Sequence, residues 1–146
     1  MGSNFRDVWL SVKESPSVQQ MLRTAVLAAE SKGATTPVAL EVSEHFALAD
    51  VFLIVSGSVE RNVQAISDEV EDALNTSDAR TIRREGRGGG RWVLLDFGDL
   101  IVHVFHQEDR EFYQLERLWK DCPVIDLEGF IAETADLQSD PGDSVK

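Results

Sequence analysis

Apolar positions recur along this chain at two different periods, and the period sorts it into strands and helices. The run GRWVLLDFGDLIVHVFH, residues 90–106, alternates on either side of Gly98-Asp99. That pair suits a tight hairpin turn, because glycine takes positive φ at no steric cost. With the turn placed there, Phe97 faces Leu100, Leu95 faces Val102 and Val93 faces Val104, so one face of the hairpin is wholly apolar. The other face pairs Asp96 with Ile101, Leu94 with His103 and Trp92 with Phe105. The first face reads as core. The second mixes large apolar groups with a carboxylate and an imidazole, and is where a binding role would enter.

Helical spacing joins Val18, Met21, Leu22, Ala25, Val26 and Ala29. Ser17 with Gln20 matches a capping box at the start of that helix, and Lys32-Gly33 a C-cap at its end. Residues 38–42 alternate as a half-buried strand. Residues 51–55 are continuously apolar, as in a central strand covered on both faces. Ser56-Gly57-Ser58 leads into a second helix with Ser58 as the expected N-cap and Val59, Val63, Ile66, Val70 and Leu74 as its buried stripe. A short strand is expected near residues 81–84, followed by a glycine-rich loop into the hairpin. Residues 107–120 read as one helix with Phe112, Leu115, Leu118 and Trp119 on one side, stopped by Pro123. The fold class that follows is α/β, a small mixed sheet of about five strands flanked by helices. Residues 17–123 form the expected domain. Residues 1–16, with a weak apolar pattern at Phe5, Val8, Trp9 and Val12, are expected to be an extension. Residues 124–146 are expected to form a marginal helix and then a partly disordered acidic tail around Asp140-Pro141-Gly142-Asp143.

Composition narrows the partners. The chain has 146 residues, enough for one real core, and a net charge of −12. Whole-protein charge therefore opposes non-specific nucleic-acid binding and is compatible with a basic protein partner. A single cysteine, Cys122, excludes an internal disulfide and a multi-cysteine zinc site. No apolar run approaches the length of a membrane span and no signal segment is recognisable, so a cytoplasmic location is expected.

Candidate chemistry is sparse. Ser56-Gly57-Ser58 before a helix N-terminus resembles an anion-binding turn. A nucleotidyltransferase also needs two or three carboxylates converging on Mg²⁺. The nearest, Asp68 and Glu69, fall well inside the helix, and no Asp-x-Asp stands on a neighbouring strand. His103 and His106, three apart on a strand, point to opposite faces and do not share a metal. No catalytic set, cofactor or metal is expected. The arginines at 80, 83, 84, 87 and 91 would either touch RNA phosphate or pair with this acidic chain's own carboxylates, and the sequence leaves both open.

LADVFLIVSG (residues 48–57), ERNVQAISDEVE (60–71), Glu85-Gly86, RWVLLDFGDLIVHVFH (91–106) and REFYQLERLW (110–119) together resemble the Iojap, or ribosomal silencing factor (RsfS), family. The resemblance runs from about Val18 to Pro123. Phe52 and Phe97 stand where Tyr is common in the family, and Asn62 where Gln is common. The resemblance implies a nucleotidyltransferase-like fold without transferase activity. It implies docking on the large ribosomal subunit, against the ribosomal protein numbered fourteen on the intersubunit face. A factor seated there would block joining of the small subunit and repress translation under nutrient limitation. A homodimer of the free form is also implied. On this reading Arg91, Trp92, Asp96, His103 and Tyr113 are the expected contact residues. Arg83, Arg84 and Arg87 would supply a peripheral rRNA contact. The alternative function is nucleotide binding or transfer at the Ser56-Gly57-Ser58 turn.

Overall fold

The computed structural model describes residues 16–133. Its sheet is built outward from β2 (Val51–Gly57) and β5 (Leu100–His106), which are buried at every position and pair in parallel. All other neighbours run antiparallel. β4 (Trp92–Asp96) and then β3 (Arg83–Arg87) extend the sheet beyond β5. On the other side come β1 (Thr35–Glu41) and β6 (Val124–Ile125), giving six strands in the order β3-β4-β5-β2-β1-β6.

The hairpin has the register that its alternation predicts: Trp92 opposite Phe105, Leu94 opposite His103 and Asp96 opposite Ile101. Gly98 sits in the turn at φ 91°. Val93, Leu95, Phe97, Leu100, Val102 and Val104 all lie in one core, with Leu22 and Val26 of α1 (Val18–Ser31) and Val63, Ile66 and Val70 of α2 (Glu60–Thr76). The start of α1 carries the full capping box, Ser17 Oγ accepting from Gln20 N–H while Gln20 Oε1 accepts from Ser17 N–H.

The opposite face of the sheet is covered by other means. Phe52, Ile54, Ile101 and Phe105 pack with Leu115 and Cys122, and with half-buried Phe46 and Trp119. The rings of Phe46, Phe52 and Trp119 meet edge-on at 5.0–5.6 Å. This cover stops short of β4, where Trp92, Leu94 and Asp96 remain half-buried.

Several local expectations are corrected. The N-cap of α2 is Val59, not Ser58, and it makes no side-chain cap bond. Asn62 instead ties the helix to the chain around it: its Oδ1 accepts the Ser58 N–H at 2.9 Å, and its Nδ2 donates to the Lys32 carbonyl at 2.8 Å. β3 starts two residues later than expected and ends three later, because Gly86 and Arg87 pair with Val93 and Trp92. β1 is half-buried as expected, with Thr35, Thr36 and Glu41 exposed, but it does not alternate through its middle: Ala39 and Leu40 are both buried, each on one of the two cores and both paired with β2 and β6.

The single helix expected over residues 107–120 is two, α3 (Gln107–Tyr113) and α4 (Leu115–Leu118), separated by left-handed Gln114. The break turns Phe112 and Leu118 outward, 80% and 76% exposed, and leaves only Leu115 of the expected stripe fully buried. Residues after Pro123 also join the sheet as β6, and Leu127, Phe130 and Ile131 of α5 (Leu127–Glu133) pack on the helix-side core. The sheet therefore exceeds the expected five strands and runs past the boundary expected at residue 123. The weak amphipathic pattern around Phe5 to Val12 and the acidic tail around Asp140 lie outside the described residues.

Candidate docking surface

Strand pairing lays three cross-strand rows over the half-open end of the sheet: Arg87-Trp92-Phe105, Glu85-Leu94-His103 and Arg83-Asp96-Ile101. Trp92 is the centre of the first row. Its ring stacks on Phe105 at 4.7 Å, meets Tyr113 at 5.1 Å and lies beneath the Arg87 guanidinium. Tyr113, at the end of α3, is 48% exposed and touches the outward Phe112 edge-on at 5.1 Å. Trp92, Tyr113 and Phe112 thus form a continuous aromatic surface, backed by the core at Trp92 and facing water at Tyr113 and Phe112, with Arg87 over the Trp92 ring, an arrangement typical of residues that carry interface energy.

The remaining expected contact residues hold different positions. His103 is 5% exposed and lies beneath this surface, with its Nδ1 accepting the Trp92 indole N–H at 3.3 Å. Burial pushes its pKa down to about 4, so the ring is neutral at pH 7. Its Nε2 is buried without a hydrogen-bond partner among the described residues. Asp96 uses Oδ1 to accept the Gly98 N–H at 2.8 Å, which ties the carboxylate to the hairpin turn. Arg91 is enclosed by acids: Asp109 at 2.8 Å, Glu108 at 3.0 Å and Glu60 at 3.5 Å. Those bonds, the Asp109 one foremost, hold its pKa above the ordinary arginine value. Among the five, then, Trp92 and Tyr113 present ring surface outward, while His103, Asp96 and Arg91 act mainly within the chain.

Sequence reasoning missed Phe112, which it placed on the inner side of a continuous helix. It also missed Arg110, the residue that fixes where α3 lies. Arg110 is buried, and its guanidinium bonds to the Thr36 carbonyl, to Ser56 Oγ at 2.9 Å and to Glu116 at 2.9 Å. A buried cation needs such a set of partners. None of them is near Arg110 in a way a sequence pattern shows, except Glu116.

The same contacts occupy the Ser56-Gly57-Ser58 turn. Ser56 Oγ is held by Arg110 and the Ser58 N–H by Asn62. A Cβ at Gly57 would lie 3.0 Å from the Val63 backbone nitrogen, so the helix crowds the turn. Asp68, the nearest candidate metal carboxylate, pairs with Arg84 at 3.0 Å. Among the described residues no group of three or more His, Cys, Asp or Glu could hold a metal ion, and no helix is long and apolar enough to cross a membrane. The arginine segment pairs with the chain's own carboxylates: Arg84 with Asp68 and Glu71, and Arg83 and Arg87 with Glu85.

Comparison with known proteins adds to this geometry. The family model described as ribosomal silencing factor during starvation matches residues 15–145. Ribosomal silencing factor RsfS of Halalkalibacterium halodurans is 43% identical over 116 residues, covering 80% of this chain and 99% of that protein. The RsfS of Bacillus subtilis is 39% identical over 110 residues, covering 75% of this chain and 93% of its own. The crystal structure of a Chromobacterium violaceum protein matches with a TM-score of 0.69 at 28% identity, over 72% of this chain and 88% of that one. With a family model spanning the sheet, its helices and the segment beyond Pro123, the chain belongs to the ribosomal silencing factor (RsfS) family.

Proposed function

We propose that this protein represses translation by occupying a surface of the large ribosomal subunit, at the intersubunit-face ribosomal protein numbered fourteen, and so obstructs joining of the small subunit. The observation that carries the reading is the aromatic surface of Trp92, Tyr113 and Phe112. A cluster of outward rings on an otherwise covered sheet marks a protein-binding site rather than a solvated surface. The net charge of −12 suits a basic partner and would speed its capture. His103 and Asp96 support the surface by holding Trp92 and the hairpin turn, and Arg91 forms its rim.

The work is steric, not catalytic. Ser56 Oγ accepts from the buried Arg110, the Ser58 N–H is bonded to Asn62 and the helix crowds Gly57, so calorimetry with nucleoside triphosphate and Mg²⁺ is expected to show no binding heat. Saturable heat would revive the transferase alternative. Light scattering of the free chain checks the homodimer that the family resemblance implies.

Docking is tested by pelleting isolated large subunits through a sucrose cushion with the protein present. Wild type is expected to co-sediment. Trp92→Ala, which removes a central aromatic anchor, is expected to lose on the order of tenfold or more in affinity. Equal co-sedimentation of both proteins would place the contact elsewhere.

A further inference from the structure

The outer side of Trp92 is already occupied. Arg87 is its cross-strand neighbour on β3, and the guanidinium carbon stands 5.5 Å from the indole centroid. Phe105 of β5 flanks the ring from the other neighbouring strand. The chain thus places one of its own cations against the ring that the docking reading makes central.

That contact is loosely held. The Arg87 side chain is 61% exposed, and its one carboxylate partner among the described residues, Glu85 at 3.5 Å, is shared with Arg83 at 3.4 Å. Arg87 ends β3 and is followed by Gly88, Gly89 and Gly90, all at positive φ. The Arg87 backbone is held by its pairing with Trp92 and by the Arg91 N–H, which donates to its carbonyl at 3.1 Å, so it is the exposed side chain that can swing off the ring while the strand stays in place.

We propose that the Arg87 side of Trp92 is a cation subsite, filled by the chain's own arginine when free and surrendered to a Lys or Arg side chain of the basic docking partner. Glu85, released from Arg87, would then pair with the incoming cation. The inference rests on the docking reading above. A cation–π contact gains strength when it is desolvated. A cation enclosed in an interface therefore outcompetes one left in water. Arg87 consequently opposes docking, both by covering the ring and by repelling a basic surface.

Titration of fluorescently labelled protein against isolated large subunits, at one fixed salt concentration, tests this with four variants. Arg87→Gln is expected to tighten binding by about two- to fivefold, the worth of an exposed cation–π contact, and Glu85→Gln to weaken it. Arg83→Gln removes the same charge from the same strand without touching Trp92, and is expected not to tighten binding. Trp92→Ala reports on docking itself. Weaker or unchanged binding by Arg87→Gln, with Trp92→Ala weak, overturns the subsite and leaves the docking surface standing. Weaker binding would mark Arg87 as a direct contact, as to RNA phosphate. Equal tightening by Arg83→Gln and Arg87→Gln would reduce the effect to net charge and also overturn it. Full binding by Trp92→Ala would remove the docking reading, and the subsite with it.

Discussion

Burial keeps the His103 imidazole neutral, and the consequence is measurable in stability. Its folded pKa of about 4 lies below the ordinary 6.5, so the unfolded chain takes up a proton first as pH falls. The stabilisation from the neutral ring is therefore complete above about pH 6.5 and is lost progressively down to about pH 4. Integrated, that is about 3 kcal/mol. Urea denaturation of wild type and His103→Gln should show it. Wild type should lose about 3 kcal/mol more than the variant between about pH 7 and about pH 4. Equal losses would mean that His103 takes up its proton in the folded state as readily as in the unfolded one. The alternation of the hairpin was enough to place His103 beside Leu94 on the mixed face. The same alternation puts Phe105 beside the ring at 6.3 Å, but it could not show that Phe52 of β2 closes over it at 5.1 Å. Burial of that kind depends on strands remote in sequence, which is why His103 reads as a contact residue in the sequence and as a support for Trp92 in the structure.

At the level of elements, what is local in cause was legible and what is distant was not. The capping box of α1 lies within four residues, and its loss is a local matter. Ser17→Ala should cost about 1 kcal/mol in urea denaturation. No measurable change would show that the cap bonds contribute nothing beyond water. The break at Gln114 has no comparable local signal. It follows from Arg110, whose partners Thr36 and Ser56 are 74 and 54 residues away and pull α3 down onto the ends of β1 and β2. A helix continued through Gln114 would keep Phe112 and Leu115 on one face, whereas Leu115 is buried and Phe112 is exposed. Arg110→Ala should destabilise the protein by about 3 kcal/mol, the low end for breaking a buried ion pair, since Glu116 keeps about a third of its side chain in water. The chain's one tyrosine, Tyr113, should also lose its contact with Trp92, seen as weaker tyrosine-to-tryptophan energy transfer in a background carrying Trp9→Phe and Trp119→Phe, where Trp92 is the one acceptor. Unchanged transfer would mean that α3 is held by its own backbone and not by the strut. β6 was missed for a similar reason: two residues carry no strand pattern, and only pairing with Ala39 and Leu40 defines them.

The whole molecule divides its sheet between two tasks. The two long helices, with α5 beside them, cover one face. The other face is closed over β1, β2 and β5 by Phe46, Leu115 and Trp119, and left half-open at β4. On the proposed mode of action the open part is used by contact alone, and a strongly acidic body standing on a basic ribosomal protein leaves no room for the small subunit. Complementary charge of this kind acts on the encounter, so association with large subunits should slow as salt rises. The most direct test is subunit joining itself, followed by light scattering when Mg²⁺ is added to separated subunits. Large subunits preincubated with the protein should join small subunits to a lower extent, with Trp92→Ala largely restoring the signal. Joining that proceeds unchanged with the wild-type protein in large excess would contradict the proposal.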